Sequence, residues 1–146
     1  MKTLNSLGDL ARAFEQNAKQ MSVRIAAAMR TSAIAVVDAA KDEFGSDGKA
    51  LGWPELSDAT KAEHVRNGYE ENVPLLASGA LRDSIQYRSS EKSFEVGSDS
   101  QIAVYQELGT ATIPPRPFLA PALHNKIPSI LETVGKAVEK ALGGEK

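Results

Sequence analysis

A proline-rich stretch restricts the possible folds of this chain more than any other feature of its sequence. Four of the seven prolines lie within residues 114–121, which read Pro-Pro-Arg-Pro-Phe-Leu-Ala-Pro. Each proline fixes its own φ angle, lacks a backbone N–H donor and pushes the preceding residue towards an extended conformation. Residues 113–117 are therefore expected to form a stiff extended rod that cannot be a central β-strand.

Segments with helical periodicity lie towards both ends of the chain. Across residues 9–44 the apolar residues recur at steps of three, four or their sums, and Gly45 supplies a stop signal. This pattern predicts one long helix, or two with a slight break. A continuous helix would extend about 50 Å, which is long beside a core of this chain length, so we expect part of it to need a partner chain. Residues 120–142 show the same spacing and predict a C-terminal helix, in which Pro128 marks a kink or the start of the main part.

The centre of the chain predicts a β-hairpin. Apolar and polar residues alternate in two short segments that a polar linker joins, as in two antiparallel strands with one buried face. We expect this face, together with Leu81, to pack on a terminal helix. The positions concerned are Leu81, Ile85, Tyr87, Phe94 and Val96.

Serine residues mark the starts of three short helical segments. Ser57 is expected to cap a helix that ends near Asn67, because its side chain can accept a backbone N–H of the first turn. In the same way, Ser78 is expected to cap a brief helical turn and Ser100 a helix over residues 101–108. Trp53, the only tryptophan, heads an irregular loop. The expected structural anchors are Trp53, Leu56, Leu81 and Ile85.

These elements predict an α+β fold, with long N- and C-terminal helices packed around a small antiparallel β-sheet. The length of 146 residues fits a single domain. Within it we expect an N-terminal helical region (1–44), a central part with the hairpin and the prolines (53–123), and a C-terminal helix (124–146).

Composition argues against several classes of function. The net charge of -2 and the pI near 5.7 give no basic face for gripping nucleic acid. The absence of cysteine excludes disulfides and thiolate metal sites. No apolar run approaches the ~20 residues of a membrane span, and the N-terminus lacks the pattern of a signal peptide, so we expect a protein made and kept in a cytoplasm.

The motifs of common catalytic sites are missing from the sequence. It contains no G-x-S-x-G, H-E-x-x-H, EF-hand or phosphate-loop pattern. His64 and His124 lie far apart without a neighbouring constellation, and surface or packing roles suit them best. A small hydrolase built from Glu107 with either histidine is a weak alternative, so we expect no enzymatic activity, no cofactor and no metal site.

Residues 113–119, hereafter the proline arm, carry the most distinctive candidate for binding. Arg116 stands between two prolines and beside apolar groups, a combination that is enriched at protein interfaces. The alternative is a rigid crossover folded against its own core. Phe118 and Leu119 fit that alternative well, and the physics of the segment alone favours it.

Several motifs occur together in a specific order and resemble a known family. In this chain they read WPELSDATK (53–61), LLASGALRDSI (75–85), VGS (96–98), AVYQELGT (103–110) and IPPRPFLAPA (113–122). The ordered set is similar to the HK97 gp10-like family of tailed bacteriophages, whose outline is shared by related virion-morphogenesis and tail-completion proteins. The resemblance covers about half of the chain.

The resemblance implies a structural virion protein rather than an enzyme. Such a protein is made in the host bacterial cytoplasm and forms a homo-oligomeric ring, sixfold or twelvefold, at the neck or the head-proximal end of the tail. There it completes the tail and joins it to the head. The implied neighbours are other neck proteins, either a connector or stopper or a tail terminator or tail tube. DNA would pass through the lumen without sequence-specific binding, and no membrane is involved.

Resemblance and physics together make the proline arm a candidate for contact between subunits or with neck partners. We expect Arg116 to set its register by pairing with Glu107 of the same or an adjacent subunit. The predicted interface residues are Glu107, Ile113, Pro115, Arg116, Pro117, Phe118 and Leu119. The alternative function is a monomeric cytoplasmic adaptor whose proline arm docks onto an aromatic groove.

Overall fold

Long helices at both ends frame the fold in the computed structural model, which describes residues 6–143. The α-helices are α1 (Leu7–Asp42), α2 (Asp58–Arg66), α3 (Ala80–Asp83), α4 (Gln101–Leu108) and α5 (Leu119–Ala141). The strands are β1 (Ile85–Ser89) and β2 (Phe94–Ser98), and short 3₁₀ turns occupy Glu43–Gly45 and Lys49–Leu51. Residues 1–5 and 144–146, which belong to the predicted terminal regions, lie outside the described residues.

Helix α1 is continuous, as the periodicity of the sequence predicts. The side chain of Ser6 caps its start by accepting the backbone N–H of Asp9 at 3.1 Å. Its 36 residues correspond to about 54 Å of helix. The buried residues of α1 all lie in its second half. They are Ala28, Ser32, Ala33, Val36, Val37 and Ala40.

Helix α5 packs along α1 in the opposite direction. The two helices are in contact, and the start of α5 meets the end of α1 through the rings of Phe44 and Phe118. These rings lie edge to face with centroids 5.0 Å apart, a favourable arrangement for buried aromatic side chains. Pro128 lies inside α5, nine residues after Leu119, and so does not mark the start of the helix.

The predicted hairpin is present, and its strands pair antiparallel. Ile85 lies opposite Ser98, and Tyr87 lies opposite Val96. Both strands contact α1, and Ile85 belongs to the buried core while the other apolar positions of the hairpin are half-buried against it. Leu81 packs against the same core from α3 rather than from the sheet. The α+β class, with long N- and C-terminal helices and a small antiparallel sheet, is confirmed, and the sheet packs on α1.

One of the three predicted serine caps forms as expected. Ser57 starts α2, and its side chain accepts the N–H of Thr60. Ser78 lies one residue before the N-cap position of α3, but its side chain accepts the backbone N–H of Ala80 at 3.4 Å. Ser100 occupies the N-cap position of α4 without a side-chain capping bond and was wrong as a cap. The residue before α3 is Gly79, which adopts a left-handed φ of 81° that a serine would adopt only under strain. At the start of α4 the side chain of Ser100 makes no capping bond, while its backbone N–H donates to the hydroxyl of Ser98.

The hairpin face can be tested by charge substitution on its two sides. Ile85→Glu should abolish soluble folding, because it places a carboxylate in the core without a partner. Gln86→Glu, on the exposed side of the same strand, should change the unfolding free energy by less than about 0.5 kcal/mol. Soluble yield and circular dichroism melting would measure both effects. Equal tolerance of the two changes would show that the strand register is wrong.

Candidate functional site

The proline arm lies against the core of its own chain. Arg116 is only 5% exposed and Phe118 is fully buried. The backbone N–H of Arg116 donates to the carbonyl of Gln106 at 2.6 Å, which ties the arm to α4. Pro114 and Pro115 are exposed, whereas Ile113, Pro117 and Leu119 are half-buried. The surface that the arm offers to another molecule is therefore centred on its first two prolines.

A glycine allows the arm to fold back on the end of α4. Gly109 has a φ of 75°, and a Cβ atom there would lie 2.9 Å from the Cδ of Pro115. The backbone N–H of Thr110 donates to the carbonyl of Ile113 at 2.8 Å and closes the turn. Only glycine accommodates both the left-handed backbone and this close approach.

The guanidinium of Arg116 binds backbone carbonyls instead of a carboxylate. Its Nε donates to the carbonyl of Pro54 at 3.1 Å, and its Nη2 donates to the carbonyl of Glu55 at 3.2 Å. Burial lowers the pKa of Arg116, but guanidinium groups titrate so far above neutral pH that the group stays charged. Arg116 therefore joins the arm to the loop that follows Trp53.

The expected ion pair between Arg116 and Glu107 does not form within the subunit, as far as residues 6–143 show. The carboxylate of Glu107 instead accepts backbone N–H groups at the start of α5. Its Oε2 accepts from Phe118 at 2.8 Å and from Leu119 at 2.9 Å. Its Oε1 accepts from Ala120 at 2.8 Å. The physical reason is that these donors at the start of α5 would otherwise be unsatisfied, whereas the carbonyls of Pro54 and Glu55 accept two N–H groups of the guanidinium.

Glu107 thus acts as a remote helix cap. Phe118, at the N-cap position of α5, has no side chain that accepts a hydrogen bond. The negative charge also interacts favourably with the positive end of the helix dipole. The sequence carried one signal for this role, since the start of α5 lacks the usual serine, threonine, aspartate or asparagine cap. Nothing in the local sequence identified Glu107 as the residue that replaces it.

Trp53 lies beneath the arm. It is buried, and its Nε1 donates to the carbonyl of Pro117 at 3.0 Å. Gly48 lies on the opposite side of the indole, so close that a Cβ atom at Gly48 would come within 2.0 Å of the ring. Of the other expected anchors, Leu56 and Ile85 are buried and Leu81 is half-buried.

Exposed apolar side chains cover parts of three helices. On α1 they are Leu7, Leu10, Phe14, Val23 and Ile34; on α4 they are Ile102, Val104, Tyr105 and Leu108; on α5 and its C-cap they are Leu123, Ile127, Leu131 and Leu142. Val65 is a single exposed apolar residue on α2. Single exposed apolar residues are normal, but groups at helical spacing are typical of surfaces that bind other proteins. The sequence predicted a partner for part of α1, but it did not predict the exposed side of α5.

The histidines take part in packing or lie on the surface. The Nδ1 of His64 lies 3.0 Å from the carbonyl oxygen of Glu70, and its ring meets Tyr69 edge to face. His124 is exposed on α5. Within the described part of the chain, no three histidine, aspartate or glutamate side chains group as metal ligands would. In the same residues, no helix is both long and apolar enough to cross a membrane.

Comparison with known protein families matches residues 2–139 to the phage virion morphogenesis family. The match covers the terminal helices as well as the central motifs. No curated protein and no solved structure matches the chain significantly.

The contact between Gly48 and Trp53 predicts unequal effects at two similar glycines. Gly48 and Gly52 have φ angles of 68° and 71°, but only Gly48 has atoms within 4 Å of an added Cβ. Alanine at either position should cost about 1–2 kcal/mol for the left-handed backbone. Gly48→Ala should cost about 1–3 kcal/mol more, because the indole must move. Thermal unfolding followed by tryptophan fluorescence would measure the difference, and equal losses would refute the contact.

The capping role of Glu107 predicts a graded series. Glu107→Ala should lower the unfolding free energy by about 2–3 kcal/mol, since it removes a charged acceptor from the start of α5. Glu107→Gln should lower it less, because the amide oxygen still accepts a hydrogen bond. Urea unfolding of the two variants beside the unmodified protein would rank them. A glutamine variant as unstable as the alanine variant would contradict capping through the side-chain oxygens.

Proposed function

This chain belongs to the phage virion morphogenesis family, and we propose that it forms a ring that completes the tail and joins it to the head. The family places its role in the assembly of phage virions. We propose further that it is an HK97 gp10-like subunit of the neck or the head-proximal end of the tail, with sixfold or twelvefold copies. The main support for a ring is the apolar surface that one subunit leaves exposed on α1, α4 and α5.

A ring needs two different surfaces on each subunit, because a head-to-tail contact repeated by rotation closes into a cycle. The exposed apolar residues of α1 and α5 lie on separate helices and so provide two such surfaces. Isolated subunits have no covering for these side chains, whereas neighbours in a ring would remove them from water. The gain is about 25 cal/mol for each Å² of apolar surface buried.

The proline arm contributes to this assembly in two ways in our proposal. Its exposed prolines, Pro114 and Pro115, contact a neighbouring subunit or a neck partner. Its buried residues, Arg116 and Phe118, act within the subunit by holding those prolines in place, together with Glu107. A role at an interface stays a prediction for the whole set of residues named from the sequence. They are Glu107, Ile113, Pro115, Arg116, Pro117, Phe118 and Leu119.

The proposed partners are a connector or stopper on the head side and a tail terminator or tail tube on the tail side. The slightly negative net charge suits a lumen through which DNA slides, because phosphate contacts by lysine and arginine retain DNA non-specifically. A structural rather than enzymatic role is supported by the engagement of the candidate catalytic groups. The Glu107 carboxylate binds the start of α5, and His64 Nδ1 lies at the carbonyl oxygen of Glu70.

The alternative of a monomeric adaptor has less support. A polyproline ligand presents its side chains to an aromatic groove of the partner. In this chain Arg116 and Phe118, the most distinctive side chains of the arm, are already buried in their own subunit.

Removal of the gene from the phage tests the proposed function. Lysates should then contain DNA-filled heads and separate tails, and a copy supplied in trans should restore joined, infectious particles. Electron microscopy and plaque counts would measure this result, and mass spectrometry should find the protein in purified virions. Absence of the protein from infectious particles, or normal joining without the gene, would overturn the proposal.

A further inference from the structure

Helix α1 carries one continuous heptad seam whose burial changes along its length. The residues of this α1 seam alternate at steps of four and three. They are Leu7, Ala11, Phe14, Ala18, Met21, Ile25, Ala28 and Ser32. The exposed fraction is 86% at Leu7 and 67% at Phe14, but only 5% at Ala28. Steps of this kind are typical of a helix that packs against another helix along its whole length.

The exposed part of the seam lies where α1 extends beyond the shorter helix α5. Helix α1 has 36 residues and α5 has 23, which correspond to about 54 Å and about 34 Å. The helices run in opposite directions and meet where Phe44 touches Phe118. About 20 Å of α1 therefore extends beyond the end of α5. The first four seam residues lie in this extension, are apolar and are exposed.

A second apolar surface lies on the side of α5. Leu123, Ile127, Leu131 and Leu142, hereafter the α5 flank, recur at multiples of the helical repeat and are exposed. They lie beside the α5 residues that are buried, Ala122 and Ala141, so the apolar arc of α5 is wider than the subunit covers. The flank is about 28 Å long, which is enough to receive the roughly 17 Å from Leu7 to Ala18.

We propose that the exposed part of the α1 seam in one subunit packs on the α5 flank of the next subunit. The occupant of each surface is a second copy of this chain. The main reason is continuity, since Ala28 and Ser32 of the same seam are buried within the subunit, whereas its first four residues are exposed. The exposed part of the seam can pack on any helix that carries an apolar stripe. The α5 flank is an apolar stripe of this kind, and nothing in the described subunit covers it.

The exposed α1 seam and the α5 flank are different surfaces, so a contact between them is head-to-tail rather than symmetric. Pairing between two α1 seams would bury the side chain of Phe14 but leave that of Leu131 exposed. Pairing of seam with flank covers both, and each subunit then both donates a helix and receives one. Repetition of this contact closes a ring. The inference rests on the proposed function for the ring, but the helix contact itself can be tested separately.

Charge substitution at Phe14 tests the contact without disturbing the subunit. Phe14 is exposed in the single subunit, so Phe14→Glu should leave its melting temperature unchanged. It should weaken self-association at least about tenfold, because burial of a phenylalanine side chain is worth more than that factor. The matched control is Gln16→Glu, an exposed change on the opposite side of α1. Sedimentation and light scattering would measure association, and equal association of both variants would overturn the proposal.

Cross-linking tests which surfaces meet. The chain contains no cysteine, so single cysteines can be introduced at Ala18 and at Leu131 without background. A short bifunctional maleimide should link Ala18→Cys to Leu131→Cys when the two variants are mixed. Neither variant should dimerise alone, and a chain with both changes should give a ladder of covalent oligomers. Dimers of either variant alone, or no product in solution or in purified particles, would overturn the pairing of seam with flank.

The same variants separate this inference from the proposed function. If Phe14→Glu enters virions and rescues infectivity normally, the helix contact is refuted while the virion role stands. If the unmodified protein gives the expected cross-links but is absent from virions, the helix contact stands and the proposed neck role is refuted.

Discussion

The carboxylate of Glu107 determines where α5 begins, and the arrangement of the long helices depends on that point. The proline arm brings few N–H donors to the start of the helix, and Phe118 at the N-cap has no acceptor side chain. Glu107 accepts the N–H groups of Phe118, Leu119 and Ala120 from the end of α4. Because Phe118 also packs on Phe44, this cap positions α5 for its run back along α1.

Polar contacts to carbonyl groups hold the arm on both sides. The guanidinium of Arg116 donates hydrogen bonds to the carbonyls of Pro54 and Glu55. The indole N–H of Trp53 donates to the carbonyl of Pro117 in the arm. A buried guanidinium is costly unless its donors are satisfied, and here backbone oxygens satisfy two of them. The arm is therefore a rigid part of the subunit, with its first two prolines held at the surface.

Large apolar side chains are exposed on α1, α4 and α5 of the single chain. Membership in the phage virion morphogenesis family is consistent with a surface that is covered on assembly, and in our proposal neighbouring copies of the chain cover it. Along the α1 seam the exposed fraction of the side chains falls from the start of the helix towards Ala28. This change connects the packing inside one subunit with the contact that we propose between subunits.

The sequence by itself determined the secondary structure and the fold class. Helical and alternating periodicities are local, and so they correctly predicted α1, α5, the hairpin and the cap at Ser57. Tertiary structure alone decided the partners of Glu107 and Arg116 and the burial of only one half of α1. Arg116 and Pro54 are 62 residues apart, and no local pattern encodes which distant carbonyl a guanidinium will meet. The α1 seam keeps its repeat from Leu7 to Ser32, and the packing of α5 and the hairpin on α1 determines which part of it remains in water.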